Sequence, residues 1–258
     1  MEEQQIWTAY LCFWLAVFGA ALGSFLDCAV SRWAEGKPPF RGRSRCAACG
    51  HPLGAGDLVP VLSFLLRQGR CRYCGAGIPA ECLLSELAGA LALGGLALRF
   101  GPAAELGQWA VWAALLLALS LTDAAKRVIP DRLLLALAAN RAVWFFALGQ
   151  GVRELLAALA ACAVPAALLA LVLLMEKWSG REVMGGGDVK LLFALALYLG
   201  WAELLLALLA ACLLGLLWAA LAGRKKGTAV PFGPFLAAGA VLTVCCGGPV
   251  LDWYFGLF

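Results

Sequence analysis

Residues 155–174 read LLAALAACAVPAALLALVLL and include no charged side chain. As an α-helix this segment would be about 30 Å long, which matches the hydrocarbon core of a bilayer. Its apolar residues cover every helical face, so a soluble protein could hold it only in a fully buried core. It lacks the period-two alternation of a transmembrane β-barrel strand. The segment therefore predicts a membrane-spanning helix.

Similar apolar runs recur along the chain of 258 residues, of which 63% are hydrophobic and 14% charged. This composition lies far from that of soluble globular domains. We predict an all-α polytopic membrane protein with about eight transmembrane helices and a small cytoplasmic insert that resembles a zinc ribbon. The predicted spans are residues 6–30, 81–98, 106–121, 133–148, 155–175, 189–201, 202–222 and 232–258, and the sixth is short.

The basic residues predict the orientation of these spans. With eight spans and the N-terminus outside, only Arg99 and Arg153 of the 20 Lys and Arg residues fall in outer segments, and Arg141 falls in the fourth span. The others fall in inner loops, as the positive-inside rule requires. The net charge of +4 is therefore a topology signal and gives no reason to expect nucleic-acid binding. Arg141 is either a side chain that extends to the interface or a buried partner of a carboxylate.

Residues 31–80 form the only sizeable polar segment and contain two CxxC pairs. Cys46 and Cys49 form the first pair, and Cys71 and Cys74 form the second. Each pair brings two thiolates together, and two pairs complete a tetrahedron around zinc. Such a site is structural, because four protein ligands leave no position open. Disulfides or free thiols are the alternatives, and a reducing cytoplasm disfavours the disulfides.

Two glycines and one histidine accompany these cysteines. Gly50 and Gly75 directly follow the two pairs and are expected to ease the turns. His51 is the only histidine. We expect it to be a loop residue near the ribbon rather than a metal ligand or a catalytic base.

Few acidic residues lie at the predicted inner face of the membrane. Asp123 closes the third span, and Asp131 opens the fourth. Asp188 follows three glycines in VMGGGDVK, residues 183–190. Asp131 suits a helix N-cap, and Asp188 could also be one. Asp123 has no such role, because a negative charge at the end of a helix meets the negative pole of its dipole.

Two carboxylates can hydrolyse a peptide bond without a metal. The ionised one takes a proton from water, and the protonated one donates to the carbonyl oxygen. The pair must lie close enough to share a proton. Gly185, Gly186 and Gly187 carry no side chains and would let backbone and substrate approach Asp188. Asp123 and Asp188 are therefore a candidate catalytic pair.

Several stretches together resemble one family. MGGGDVK at residues 184–190 resembles the GxGD motif of membrane aspartyl proteases. LTDAAKRVIPD at residues 121–131 resembles the other catalytic segment of the bacterial type IV prepilin peptidases. GSFLDCAVSRW (23–33) resembles the N-terminal stretch of that family, and the cysteine segments with SEL (85–87) resemble its cytoplasmic domain. PFGPFLAAG (231–239) resembles the entry to its last span.

The resemblance implies a multi-pass enzyme of the bacterial cytoplasmic membrane that serves type IV pili and protein secretion. Such enzymes cleave the basic leader of prepilins and pseudopilins after a glycine, and then methylate the new N-terminal residue with S-adenosylmethionine. By position, the catalytic aspartates would be Asp123 and Asp188, supported by the motif residues Gly185, Gly187 and Lys190. Both aspartates would face the cytoplasm, and prepilins and membrane lipid are the expected partners.

The resemblance also implies three parts. Residues 1–30 would be the first transmembrane helix, residues 31–80 a cytoplasmic four-cysteine zinc-binding domain associated with methyl transfer, and residues 81–258 a transmembrane aspartyl peptidase core. Asp131 would cap its helix and take no part in catalysis.

The sequence contains no dinucleotide-binding fingerprint such as GxGxxG, so any site for S-adenosylmethionine must be unconventional. A sulfonium cation would be attracted by Asp27 or Glu86, which are the candidate binding residues. The chain departs from the family in this segment. Asp27 stands where Asn is usual, and residues 81–83 read ECL where Arg-Tyr-Pro is usual before Glu86.

Two other classes of function stay open. One is a GxGD protease that cleaves a different class of substrate within membrane spans, which the cysteine ribbon and the inner-face aspartates disfavour. The other is a non-enzymatic scaffold or a transporter whose carboxylates carry protons. Transporters often contain paired inverted repeats, and the sequence shows no convincing internal repeat.

Overall fold

The structure is a computed structural model that describes residues 2–180, 184–221 and 231–257. Over these residues it is helical and forms no β-strand, which confirms the predicted all-α class. A single 3₁₀ turn lies at Ala55–Asp57. The helices are α1 (Glu2–Ala34), α2 (Leu62–Leu66), α3 (Ala80–Phe100), α4 (Glu105–Lys126), α5 (Asp131–Ala147), α6 (Val152–Ala161), α7 (Ala163–Ser179), α8 (Gly186–Ala196), α9 (Trp201–Leu221) and α10 (Gly233–Phe255).

Six segments of the described chain are long and apolar enough to cross a membrane. They are Glu3–Ala34, Ala80–Phe100, Glu105–Lys126, Val152–Ser179, Trp201–Leu221 and Gly233–Phe255. The other two predicted spans are shorter helices, α5 with 17 residues and α8 with 11. At 1.5 Å per residue α8 is roughly 16 Å long, about half the depth of a bilayer. The protein is therefore a multi-pass membrane protein. The helix of its sixth predicted span reaches through only about half of the bilayer.

The fifth predicted span consists of α6 and α7, which meet at Cys162. Pro165 lies in the first turn of α7 and has no backbone N–H to donate to the preceding turn. The missing hydrogen bond accounts for the break between the two helices.

The chain divides into two compact units, residues 1–121 and 122–258. In the first unit, α1 and α3 pack antiparallel at glycines. A Cβ atom on Gly19 would overlap the backbone carbonyl of Gly89, and one on Gly23 would overlap that of Ser85. Small residues allow this close backbone approach between membrane helices.

The boundaries of the cysteine domain, placed at residues 30 and 80 from the sequence, stay a prediction.

Helix α8 forms the core of the second unit. Leu191, Leu192 and Leu195 are almost completely buried. The helix contacts α5, α6, α7, α9 and α10. The short, enclosed α8 therefore carries its first turn, which contains Asp188, on a support of packed leucines.

Arg141 of α5 binds the C-terminal end of α8. Its Nε donates to the Leu197 carbonyl at 2.8 Å, and its Nη1 donates to the Gln150 side-chain oxygen at 2.7 Å. A positive charge beside the last carbonyls of a helix complements its dipole. From the sequence, Arg141 either extends to the membrane interface or pairs with a carboxylate. In the structure its hydrogen-bond partners are the carbonyl of Leu197 and the side-chain amide of Gln150.

Candidate active site

Asp123 lies in the last turn of α4, as predicted, and is buried. Its Oδ2 accepts a hydrogen bond from the backbone N–H of Gly233 at 3.0 Å. This N–H is at the N-terminus of α10, where the helix dipole is positive. A hydrogen bond donated to a carboxylate favours its ionised form. The end of α10 thus offsets the unfavourable position of Asp123 at the end of its own helix.

Position 233 accepts only glycine in this arrangement. A Cβ atom there would lie 2.7 Å from Oδ2 and 3.1 Å from Cγ of Asp123. The sequence alone did not single out Gly233, although this residue lies in the stretch PFGPFLAAG. A glycine directly before a proline at the start of an apolar span was the only available signal. Such a signal does not show which side chain the glycine accommodates.

Asp188 lies in the first turn of α8, and the N-cap alternative for it is wrong. Gly185 is the N-cap, and the Asp188 N–H donates to the Gly185 carbonyl at 3.0 Å. The predicted cap role of Asp131 is also wrong, because Pro130 is the N-cap of α5. Gly185 and Pro130 both have extended backbones, so α8 begins before Asp188 and α5 begins at Asp131 itself. The carboxylate of Asp131 instead accepts a hydrogen bond from Lys190 Nζ at 2.7 Å.

Asp123 and Asp188 line the same cavity, which has a volume of about 300 Å³. The cavity is lined by Asp123, Arg127, Val128, Ile129, Asp131, Gly185, Gly186, Gly187, Asp188 and Lys190. A Cβ atom on Gly186 would have no neighbour within 4 Å, whereas one on Gly187 would lie 3.2 Å from Cβ of Ile129. Gly187 therefore lets α8 approach the α4–α5 connection closely, and Gly186 leaves one wall of the cavity open.

The environment of Asp188 favours its protonated form. Asp188 precedes the apolar part of α8 and lies outside the six membrane-length helices. Burial raises the pKa of Asp188 to about 6, and the negative charge of the nearby Asp123 also contributes to this increase. Asp188 therefore keeps its proton to a higher pH than a free aspartate does, as one member of a proton-sharing pair must.

Contacts from α5 hold α8 at both of its ends. The ion pair of Lys190 and Asp131 joins the first turns of α8 and α5, and both side chains are exposed. An exposed pair contributes little free energy. Arg141 holds the opposite end of α8 at Leu197. Of the two contacts, the one at Leu197 therefore contributes more to the position of α8 than the exposed pair does.

The four cysteines of the CxxC pairs converge, with sulfur atoms within 4.8 Å of one another. Sγ of Cys46 lies 3.8 Å from Sγ of Cys74. Four sulfurs at the Zn–S bond length in a tetrahedron are about 3.8 Å apart, so the cluster fits zinc. None of the four cysteines forms a disulfide, and His51 is not part of the cluster.

Each knuckle is a short hairpin with its own backbone hydrogen bonds. The Gly50 N–H donates to the Cys46 carbonyl, and the Gly75 N–H donates to the Cys71 carbonyl, both at 2.9 Å. Gly50 and Gly75 have φ angles of 70° and 71°, which confirms their predicted role in the turns. Backbone N–H groups of Cys49 and Ala48 lower the pKa of Cys46 to about 6, which favours the thiolate that a metal needs.

Asp57, which the sequence alone did not single out, links the two knuckles. Its buried carboxylate pairs with Arg67 and accepts hydrogen bonds from the Gly54 N–H at 2.9 Å and the Tyr73 hydroxyl at 3.3 Å. The Tyr73 ring lies against His51, with centroids 3.7 Å apart. His51 is thus a loop residue beside the ribbon, as expected.

The two candidates for binding the methyl donor lie near each other in the first unit. The Cys82 thiol hydrogen-bonds to Asp27, and the charges of Glu81 and Glu86 act on the same carboxylate. Glu86 is only 8% exposed, and its Oε2 accepts a hydrogen bond from the Val61 N–H at 2.6 Å. The acidic character of this cluster fits a sulfonium cation, although one Glu86 oxygen already has a backbone partner.

Family models cover both units of the chain. Residues 17–100 match the bacterial peptidase A24 N-terminal domain, and residues 110–220 match the type IV leader peptidase family. The chain belongs to the type IV leader peptidase family.

Similar proteins match over most of their length. The chain is 40% identical to the prepilin leader peptidase/N-methyltransferase of Burkholderia pseudomallei (strain 1026b), over 90% of this chain and 84% of the relative. It is 33% identical to the protein of the same name from Aeromonas hydrophila, over 92% and 91% of the two chains. Identity to the Bacillus subtilis (strain 168) protein of that name is 32%, over 93% and 96%. No solved structure matches the chain.

Proposed function

We propose that this protein cleaves the leader peptide of type IV prepilins or pseudopilins with Asp123 and Asp188, and methylates the new N-terminus. The observation that carries the cleavage proposal is the common cavity of the two aspartates. Membership of the type IV leader peptidase family supplies the class of substrate.

The environments of the two carboxylates assign their roles in hydrolysis. Asp123, which accepts a hydrogen bond from Gly233, is the ionised base that takes a proton from water. Asp188, whose pKa is raised to about 6, is the acid, and in its protonated form it donates to the carbonyl oxygen as water adds to the carbon. Collapse of the tetrahedral intermediate breaks the C–N bond. The departing amine takes the proton that Asp123 gained, and Asp188 recovers its proton from a hydroxyl group of the intermediate. No metal takes part in these steps.

The proposed orientation brings the leader to this cavity. Basic residues concentrate in the loops that carry Asp123, Asp188 and the cysteine insert, which supports placing these loops in the cytoplasm and the N-terminus outside. The protein is then an enzyme of the bacterial inner membrane whose cavity faces the basic leader. Lys190 and Arg127 line the cavity as well, so a basic leader would contact the carboxylates rather than these side chains.

The cysteine cluster is proposed to hold one structural zinc ion. Cys46, Cys49, Cys71 and Cys74 would fill its coordination shell. The ion would keep the two knuckles together.

S-adenosylmethionine is the proposed methyl donor, and it would supply an activated methyl group to the new amine. Asp27 and Glu86 are proposed to attract its sulfonium cation, and a nearby carboxylate could accept the proton of the amine. We expect Glu86→Gln to reduce methylation and to leave cleavage intact. Mass spectrometry of the product checks this, because one methyl group adds its mass to the mature chain.

Asp27→Asn restores the residue usual in the family and is the matched control. It should preserve or improve methylation if the site is intact. A wild-type protein that cleaves fully but never adds a methyl group with S-adenosylmethionine present would be a peptidase only. The tripeptide at residues 81–83 would then be the first place to look for the loss.

Cleavage itself is tested with detergent-purified protein and a peptide that has a basic leader ending in Gly-Phe. Loss of the leader at this bond is the expected result. Cleavage inside the apolar part of the peptide would favour an intramembrane protease of another substrate class. No cleavage under any condition would favour a scaffold or transporter.

A further inference from the structure

Helix α2 of the cysteine insert has an apolar face that protein does not cover. Leu62, Leu65 and Leu66 are 53%, 62% and 75% exposed. Their spacing of three and four residues places them on one side of the helix. On the other side Phe64 packs inside the insert, where a Cβ atom on Gly69 would lie 2.9 Å from its ring. The five-residue helix is thus apolar on both sides, with Phe64 directed into the insert and the leucines directed away from it.

A contact with α3 fixes the depth of this helix. The Val61 N–H, directly before α2, donates to Glu86 Oε2 at 2.6 Å. Glu86 lies roughly 9 Å along α3 from Ala80, since each residue adds 1.5 Å. Because α3 is long and apolar enough to span a membrane, its second turn lies in the part of the helix nearest one membrane surface. Helix α2 therefore begins close to that surface.

The backbone at Val61 is held in a costly conformation. Its φ and ψ are 61° and −52°, and the Leu62 N–H donates to the Pro60 carbonyl at 2.5 Å, as in a γ-turn. Positive φ is uncommon for a β-branched residue and persists only where the surroundings impose it. The Glu86 carboxylate is one such constraint. The turn redirects the chain into α2 at the point where Val61 contacts Glu86 of α3.

The insert surface is strongly basic. Its acidic residues are already engaged, since Glu35 pairs with Lys37 and Asp57 pairs with Arg67. Exposed leucines together with exposed cations are typical of a segment that lies in the interface of an anionic membrane. The exposed arginines are Arg41, Arg43, Arg45, Arg70 and Arg72.

We propose that α2 is an interfacial helix. Its leucine face lies in the leaflet next to the insert, and the arginines of the insert bind the anionic phosphate groups of that leaflet. Lipid is favoured over a basic leader peptide or a second copy of this chain, because each of those would bring positive charge towards positive charge. The proposal holds for either orientation of the protein and does not depend on its peptidase activity.

Photocrosslinking in the full-length protein tests the proposal. Leu66 is replaced by p-benzoylphenylalanine, and the protein is placed in nanodiscs of phosphatidylcholine and phosphatidylglycerol. We expect lipid adducts on the peptide containing position 66, several-fold more than with the same replacement at Tyr73, whose hydroxyl contacts Asp57. Crosslinks to a second copy or to an added prepilin peptide, in place of lipid, would overturn the proposal, and so would the absence of any adduct.

Hydrogen exchange of the wild-type protein provides a test without substitutions. The amides of residues 58–67 should exchange several-fold more slowly in nanodiscs that contain phosphatidylglycerol than in phosphatidylcholine alone. Residues 46–51 of the first knuckle serve as the internal reference and should change less. Equal exchange of residues 58–67 in the two lipids would show that headgroup charge does not hold the insert, contrary to the proposal.

Discussion

The cysteine insert and the aspartate cavity are stabilised in opposite ways. In the insert, the hairpins at Cys46 and Cys71 close through hydrogen bonds between residues a few positions apart. At the cavity, Asp123 receives its hydrogen bond from Gly233, 110 positions along the chain. Asp188 is carried by α8, whose leucines are buried among other helices. The insert is therefore held by local geometry and, as proposed, by a zinc ion, whereas the cavity needs the packed second unit.

Because different interactions stabilise the two regions, damage to one region should not spread to the other. A metal site supplies folding free energy to the small region that contains it. Buried apolar surface supplies it to a helix such as α8. Changes directed at each region should therefore separate zinc content from cleavage chemistry.

Loss of a zinc ligand should have the largest effect. Cys71→Ser should reduce zinc from about one ion per chain to nearly none, because structural zinc sites need all four ligands. Elemental analysis measures the metal, and hydrogen exchange should show residues 35–79 losing protection while α8 keeps it. Cys212→Ser, at an exposed cysteine of α9, is the matched control. Wild-type protein prepared without chelator that contains no zinc would refute the site.

Removing either proton carrier of the pair should have the next largest effect. Asp123→Asn or Asp188→Asn should reduce cleavage by about 10²–10⁴-fold, since each removes a general acid or base. Both variants should retain zinc and their thermal unfolding midpoint. Asp131→Asn should retain most activity, because it loses only the exposed pair with Lys190. If Asp131→Asn is inactive while Asp123→Asn is active, the assignment of Asp123 as a catalytic residue is wrong.

Gly233→Ala should have an intermediate effect. Its Cβ would lie 2.7 Å from Asp123 Oδ2, so the carboxylate or α10 must shift. We expect cleavage to fall by about 10–100-fold, since a displacement near 1 Å can cost this much. Gly248→Ala in α10 is the control, because a Cβ there meets nothing within 4 Å. Equal kcat/KM values for the two variants would contradict the described contact.

The pH dependence of cleavage should show the smallest effect over the physiological range. The raised pKa of Asp188, about 6, means that its proton is present below this pH and is lost above it. The singly protonated pair therefore declines as pH rises, and kcat/KM should fall about tenfold per unit well above the pKa. A profile measured from pH 5 to 9 checks this. Constant activity up to pH 9 would show that Asp188 does not act as the acid.

The sequence predicted the local features of both regions. Apolar runs located the helices, and CxxC spacing located the convergent sulfurs of Cys46 and Cys74. The turns at Gly50 and Gly75 were also predictable, because each depends on a few neighbouring residues. The catalytic roles of the aspartates stay a prediction that rests on motif resemblance and on the shared cavity.

Features that depend on distant residues could not be predicted. Nothing near Gly233 indicates that its N–H lies against Asp123. Arg141 was expected at an interface or beside a carboxylate, and its partner is the carbonyl of Leu197. The helix caps at Gly185 and Pro130 also differ from expectation, because tertiary packing decides where each helix begins.

Lys190 and Leu197 lie near the two ends of α8, where Asp131 and Arg141 of α5 contact them. The two residues are about two helical turns apart, and each added residue turns a helix by about 100°. Inserting one residue between them would remove none of the side chains that form the cavity. It would nevertheless turn Asp188 away from Asp123 if the far end stayed bound to Arg141. The number of residues in α8 is therefore as much a part of the cavity as its two carboxylates.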